Sequence, residues 1–176
     1  MKRILLSFLA LLSFVISVQA DSFEVGGIMY NVTQEPWEGY PGEVYVAPKT
    51  SGYSGDIVIP ATVTYTNTYT VKGIEMQAFR DCSNLTSVTI PDGVEIIDAS
   101  AFFGCISLTS INIPTSLTNL GESAFSDCEK LSSSIVLPNS VTKIGRFAFS
   151  NCKELTSVDM SACQLSTIEE YFFYGC

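Results

Sequence analysis

Apolar and polar positions in this chain follow two rhythms. Up to about residue 77 they alternate over short runs, the period of half-buried strands. In "FEVGGIMYNV", residues 23–32, two alternating runs flank Gly26-Gly27, which predicts a β-hairpin with a tight turn. In "ATVTYTNTYT", residues 61–70, Val63, Tyr65 and Tyr69 alternate about Asn67 and predict a second hairpin.

A longer rhythm takes over at Ala78. "AFRDCSNLTSVTIP" (78–91) returns as "AFFGCISLTSINIP" (101–114), "AFSDCEKLSSSIVLP" (124–138) and "AFSNCKELTSVDMS" (148–161). The marker cysteines Cys82, Cys105, Cys128, Cys152 and Cys176 are 23, 23, 24 and 24 residues apart. Three residues before each lies Phe79, Phe102, Phe125, Phe149 or Phe173, and three after the first four lies Leu85, Leu108, Leu131 or Leu155. A strand-like alternation follows, then in the first three units a proline at 91, 114 or 138. One extra serine in the third unit shifts its alternation to Ile135-Val136-Leu137. Beyond the proline come two more aliphatics: Val94 and Ile97, Leu117 and Leu120, Val141 and Ile144.

A period of this length predicts a solenoid, in which each coil shares one core with its neighbours. The leucine and the alternating aliphatics point inward from a short strand, and the later pair lines the far wall. A degenerate first coil precedes Ala78: "DIVIP" (56–60) supplies strand and proline, and Val71 and Ile74 match the far-wall pair. The expected fold is therefore mainly β, a leucine-rich repeat solenoid with 23–24 residue coils and an N-terminal β-hairpin cap. The cap spans 21–77, including the degenerate repeat, and the solenoid spans 78–176. The last coil reaches only its marker cysteine, Cys176. Leu155, Val158, Met160, Leu165 and Ile168 are then left as an open end, and self-association through it is expected.

The first 20 residues read as a secretory leader: Lys2 and Arg3, an apolar run over 4–18, and Val18-Gln19-Ala20 as the cleavage site. Export places the protein outside the cell, secreted or at the surface, and no membrane span follows. Removing Lys2 and Arg3 takes the net charge from −9 to −11, a balance that repels nucleic acid and anionic lipid. Histidine is absent, which removes the usual general base and the commonest zinc ligand. No CxxC pair exists either, so no metal and no cofactor is expected.

Six cysteines in an exported chain raise the possibility of a disulfide framework. Stacked coils would instead set the ladder cysteines about 4.8 Å apart with parallel side chains, which disfavours bridging. A column of free thiols acting as small apolar residues is expected.

The repeat pattern resembles that of the BspA-type leucine-rich repeat family of secreted and surface proteins, over about residues 57–176. The resemblance implies a β-rich solenoid without enzymatic activity, and an adhesin-like role for some members. Two candidate surfaces follow. One is the outward face of the repeat strands, rich in hydroxyls and poor in charge: Thr86, Ser87, Thr89, Thr109, Ser110, Asn112, Thr156 and Asp159. The other is the loop "QEPWEGYPGEVY" (34–45), where Trp37, Tyr40 and Tyr45 lie among carboxylates and could form a sugar platform. Glu35 and Glu38 in that loop show no acid–base spacing beyond adjacency. The reading is a non-enzymatic interaction scaffold for a protein or glycan ligand on host or microbial surfaces. The alternatives are a carbohydrate-binding module built on Trp37 and a repeat fragment with no ligand of its own. "NVT" at 31 and "NLT" at 84 match the glycosylation pattern.

Overall fold

The computed structural model describes residues 22–163, 165, 169 and 171–176. The leader expected over 1–20 and the core position Ile168 lie outside the described residues. Among the described residues there are strands and no helix, wound as a β-solenoid. None is part of a helix long and apolar enough to cross a membrane.

Strand β1 (Ser22–Val25) pairs antiparallel with β2 (Ile28–Gln34), Val25 opposite Ile28. Gly26 and Gly27 between them have φ of 60° and 82°. Positive φ at both central positions is what a type I′ turn demands, and it is why two glycines sit there. Strand β2 pairs antiparallel with β3 (Gly42–Val46). After β4 (Gly55–Val58), strands β5 (Thr62–Thr64) and β6 (Thr68–Ile74) form the second antiparallel hairpin, Val63 opposite Tyr69. Strand β6 also runs parallel to β3.

The repeats contribute two short strands per coil. Those after the leucine are β7 (Leu85–Thr89), β9 (Ser110–Ile111), β11 (Ile135–Val136) and β13 (Val158–Asp159). Those on the far wall are β8 (Ile96–Ile97), β10 (Asn119–Leu120) and β12 (Lys143–Ile144). The far wall is continuous with the N-terminal strands: one sheet runs β1-β2-β3-β6-β8-β10-β12. Ile74, Ile97, Leu120 and Ile144 form one buried row across it. The opposite wall is broken into β4-β7-β9 and β11-β13. The break falls at the extra serine. Ser132 and Ser133 both donate their N–H to the Thr109 carbonyl, at 3.2 and 3.3 Å, so the register slips before β11 begins.

The third side of each coil is the Ala-Phe corner, an irregular turn that stacks as regularly as a sheet. Phe79, Phe102 and Phe125 each donate an N–H to the alanine carbonyl of the next coil, Ala101, Ala124 and Ala148, at 2.8 Å. Every corner contains two left-handed residues, one before the alanine and one before the cysteine. The second of these is Asp81, Gly104, Asp127, Asn151 and Gly175, residue types that accept positive φ most readily.

The core is a set of columns. The Phe79, Phe102, Phe125 and Phe149 rings stack at 4.8, 5.1 and 5.3 Å, within 12° of parallel. Tyr53 extends the column into the first coil, 4.5 Å from Phe79. At the other end the corner reads Phe172-Phe173, and it is Phe172, in the alanine position, that is buried. It meets Phe149 edge-on at 80°. Leu85, Leu108 and Leu131 are fully buried, whereas Leu155, Val158, Met160 and Leu165 of the final coil are half-buried. Each buried leucine or phenylalanine contributes roughly 1.5–3 kcal/mol from its apolar area.

Gly121 and Gly145 lie just after the far-wall row, and a Cβ on either would run into the backbone of the preceding coil. Gly121→Ala should therefore cost about 1–3 kcal/mol through overpacking. The measurement is the urea midpoint, with Gly93→Ala, where a Cβ meets no atom within 4 Å, separating this clash from backbone strain.

Candidate binding surfaces

The strand wall presents its polar residues outward, but much of its hydrogen-bonding capacity is engaged within the wall. Thr86 and Ser87 both donate to Asp56 Oδ1, at 2.7 and 2.6 Å. The Ser87 hydroxyl, then that of Thr86, holds the Asp56 carboxyl below its usual range. Asp56 stands in β4, in the degenerate coil, and the sequence reading did not single it out. Thr109 Oγ1 donates to the Thr86 carbonyl at 3.1 Å. Asn112 is used twice: its Oδ1 accepts from the Ile90 N–H and its Nδ2 donates to the Ile90 carbonyl, both at 2.7 Å. Its amide closes the end of the neighbouring coil's strand, so Asn112 holds the wall together. Asp159 Oδ1 accepts from the Ser161 N–H at 2.8 Å, a local turn that lowers its pKa. Thr89, Ser110 and Thr156 are exposed. Two exposed aliphatics share this wall, Val58 at 68% and Val136 at 57%. Pairing aligns Val58 with Thr89, and Val136 with Asp159.

The aromatic loop divides. Trp37 and Tyr40 face each other across a two-residue turn, with Trp37 N–H donating to Tyr40 O at 3.2 Å and Tyr40 N–H to Trp37 O at 2.8 Å. Glu38 and Gly39 between them have φ of 42° and 85°, again a primed turn. Tyr45 does not join them. It lies in β3 opposite Gly73, and its ring fills the space that a Cβ at Gly73 would occupy. Burial first, then the Glu43 charge, raises its pKa. Glu35 Oε2 accepts from the Tyr69 hydroxyl at 3.2 Å, which ties the loop to β6. Asn31 of the "NVT" triplet is also engaged, its amide donating to both Glu75 carboxylate oxygens at 2.9 and 2.8 Å.

The six cysteines are free thiols. The ladder members do more than fill space. Cys105, Cys128, Cys152 and Cys176 each donate Sγ–H to the corner phenylalanine carbonyl of the preceding coil: Phe79, Phe102, Phe125 and Phe149, at 3.0, 3.2, 3.1 and 2.9 Å. At the start of the column Cys82 Sγ accepts from the Tyr53 N–H at 3.2 Å. Burial raises the pKa of Cys105 and Cys128, and pushes that of Cys152 up to about 12.

Residues 72–176 match, in six copies, the family model described as BspA type leucine rich repeat region. The chain belongs to the BspA-type leucine-rich repeat family. Solved structures share the fold. A leucine-rich repeat protein from Bacteroides ovatus is 30% identical over 88% of this chain and 45% of its own, with a TM-score of 0.57. One from Bacteroides capillosus is 28% identical over 83% of this chain and 99% of its own, TM-score 0.62. A leucine rich cell surface protein from Faecalibacterium prausnitzii is 24% identical over 79% of this chain and 42% of its own, TM-score 0.58. This BspA-type chain thus spans about half the length of the Bacteroides ovatus protein. No match was found among curated proteins.

Two outcomes follow for the thiols of this BspA-type solenoid. Cys128→Ala removes a buried donor and should cost about 1–3 kcal/mol in urea unfolding. Alkali should act through the same column. In the folded chain Cys152 stays protonated to about pH 12 and Tyr30 and Tyr53 likewise, above their ordinary values of 9.0 and 10.0. Their contribution is complete below the unfolded pKa and is lost as pH climbs through the folded one. The urea midpoint should therefore fall from pH 9 towards pH 12, and fall less steeply in Cys152→Ala. A midpoint flat across that window would contradict the buried-thiol account.

Proposed function

We propose that this protein is an exported, non-enzymatic scaffold that binds a protein ligand along its strand wall. The family supports the scaffold reading, because leucine-rich repeat proteins generally act as binding frames. The words "cell surface" in the name of the Faecalibacterium prausnitzii protein support an extracellular setting. One observation carries the choice of face. Val58 and Val136 point outward from the two sheets of this wall, and neither contributes to the core. Exposed aliphatics set among hydroxyls, with Asp56 and Asp159 as the neighbouring carboxylates, suit contact with another protein.

The ligand would lie across several coils and gain affinity from many small contacts. Thr89, Ser110 and Thr156 keep exposed hydroxyls for it, while Thr86, Ser87 and Asn112 hold the surface flat. Binding of this kind depends on preorganisation: the wall loses little conformational entropy when a partner docks.

The test is adhesion of the exported chain to immobilised extracellular-matrix proteins and to whole microbial cells. A Val58→Glu/Val136→Glu pair should reduce adhesion at least about tenfold, equivalent to ~1.4 kcal/mol, with the thermal midpoint unchanged. Undiminished adhesion by that pair would place the contact elsewhere, and adhesion to no member of either set would favour a repeat fragment without a ligand of its own.

A further inference from the structure

The Trp37–Tyr40 turn has no part in the wall just described, yet it is built with unusual economy. Trp37 and Tyr40 are direct cross-strand partners, so their side chains project from the same face of the turn. They are 65% and 69% exposed. Pro36 and Pro41 bracket the pair and fix the backbone on either side. A short, stiff turn that leaves a tryptophan and a tyrosine uncovered forfeits the burial that aromatic residues normally gain. Tyr65 of the next hairpin, also exposed, at least stacks on buried Phe23 at 4.8 Å and 6°.

The turn also borders an open depression of about 500 Å³ whose far side is Asn67 and Thr68, from the tip of the β5–β6 hairpin. The loop and that hairpin are separate along the sequence, and the fold brings them together. Among the described residues neither the Glu38 carboxylate nor the Asn67 side-chain amide has a protein partner. The depression therefore combines two aromatic faces with an uncommitted carboxylate, an uncommitted amide and a hydroxyl.

We propose that this depression binds a neutral glycan, one pyranose ring lying against Trp37 and Tyr40 with its hydroxyls meeting Glu38, Asn67 and Thr68. The chemistry selects that ligand. A pyranose carries an apolar C–H face, which stacks on an aromatic ring, and a rim of hydroxyls that both donate and accept. Glu38 accepts only, while Asn67 does both, so adjacent sugar hydroxyls can be held in pairs. The lining residues include no cation, and the chain carries a net −9, so sulfated or uronic glycans are repelled. The volume accommodates about one or two sugar rings. A proline-rich peptide also favours aromatic grooves, but it needs apolar slots more than paired hydroxyl partners.

This site is independent of the strand wall and can be tested separately. Trp37 is the only tryptophan, so the intrinsic fluorescence of the exported chain reports on it alone. The probes are neutral gluco-, manno- and galacto-oligosaccharides of three to six units, with hyaluronan fragments and a polyproline decamer as controls. At least one neutral series should give a saturable shift. Calorimetry with that series should show Trp37→Ala and Tyr40→Ala each weakening binding about tenfold or more, and Asn67→Ala several-fold. Val58→Glu/Val136→Glu should bind as the parent does. Because Trp37 and Tyr40 are exposed, their variants should keep the parent's thermal midpoint, and circular dichroism verifies this. The proposal is overturned if no neutral series shifts the fluorescence, if hyaluronan or polyproline binds in their place, or if Asn67→Ala binds the sugar unchanged.

Discussion

Phe79, Phe102, Phe125 and Phe149 each offer a carbonyl with two lone pairs, and the stack depends on both being met. One accepts the N–H of the cysteine three residues on, as in Cys105 N–H to Phe102 O at 3.2 Å. The other accepts the thiol of the next coil, as in Cys128 Sγ–H to the same Phe102 O at 3.2 Å. A buried acceptor left short is costly, and a serine hydroxyl in its place would carry a larger desolvation penalty than a thiol. Cysteine is small, largely apolar and still a donor, which is why it recurs there. The bond also sets the distance between coils, so the phenylalanine rings fall into a near-parallel stack.

With that spacing fixed, the two walls behave differently. The far wall needs only two paired residues per coil, and Gly121 and Gly145 let successive backbones approach there. It therefore continues unbroken into the N-terminal hairpins. The strand wall tolerates less. One added serine before Ile135 doubles two donors onto the Thr109 carbonyl and ends the pairing of β9 with its neighbour. Stability passes to the corner and the far wall, while the strand wall keeps its shape through side chains such as Asn112 and Asp56.

The coil was legible because its signals are strictly periodic: Leu85, Val88 and Ile90 face inward as their spacing requires, and Ala78-Phe79 turns the corner. The Gly26-Gly27 hairpin was equally plain. What escaped notice depends on contacts between coils, which no single repeat displays. Asn112 looked like an outward polar residue, and only the neighbouring strand's end explains its amide. Cys105 and its successors looked like small apolar filling, since the acceptor lies in the coil before. Tyr45 was grouped with Trp37 by proximity along the chain, although strand alternation sends it to Gly73. Asn67 and Trp37 are 30 residues apart, so their shared depression had no local signature.

A repeat array transmits little between distant coils, because each contacts only its neighbours. Residues that build the wall and residues that bind can therefore diverge independently. Substituting Val136 alters one coil's surface without touching the Phe102 carbonyl or the Cys128 thiol beneath it. The Trp37 turn is more separate still, since β2 and β3 carry it beyond the repeats, and its ties run to the second hairpin, through the β3–β6 pairing and the Glu35–Tyr69 bond. Recognition on this fold is thus grafted onto a backbone whose stability is settled elsewhere. That separation would let one scaffold carry both the proposed protein-binding wall and the proposed sugar site without either constraining the other.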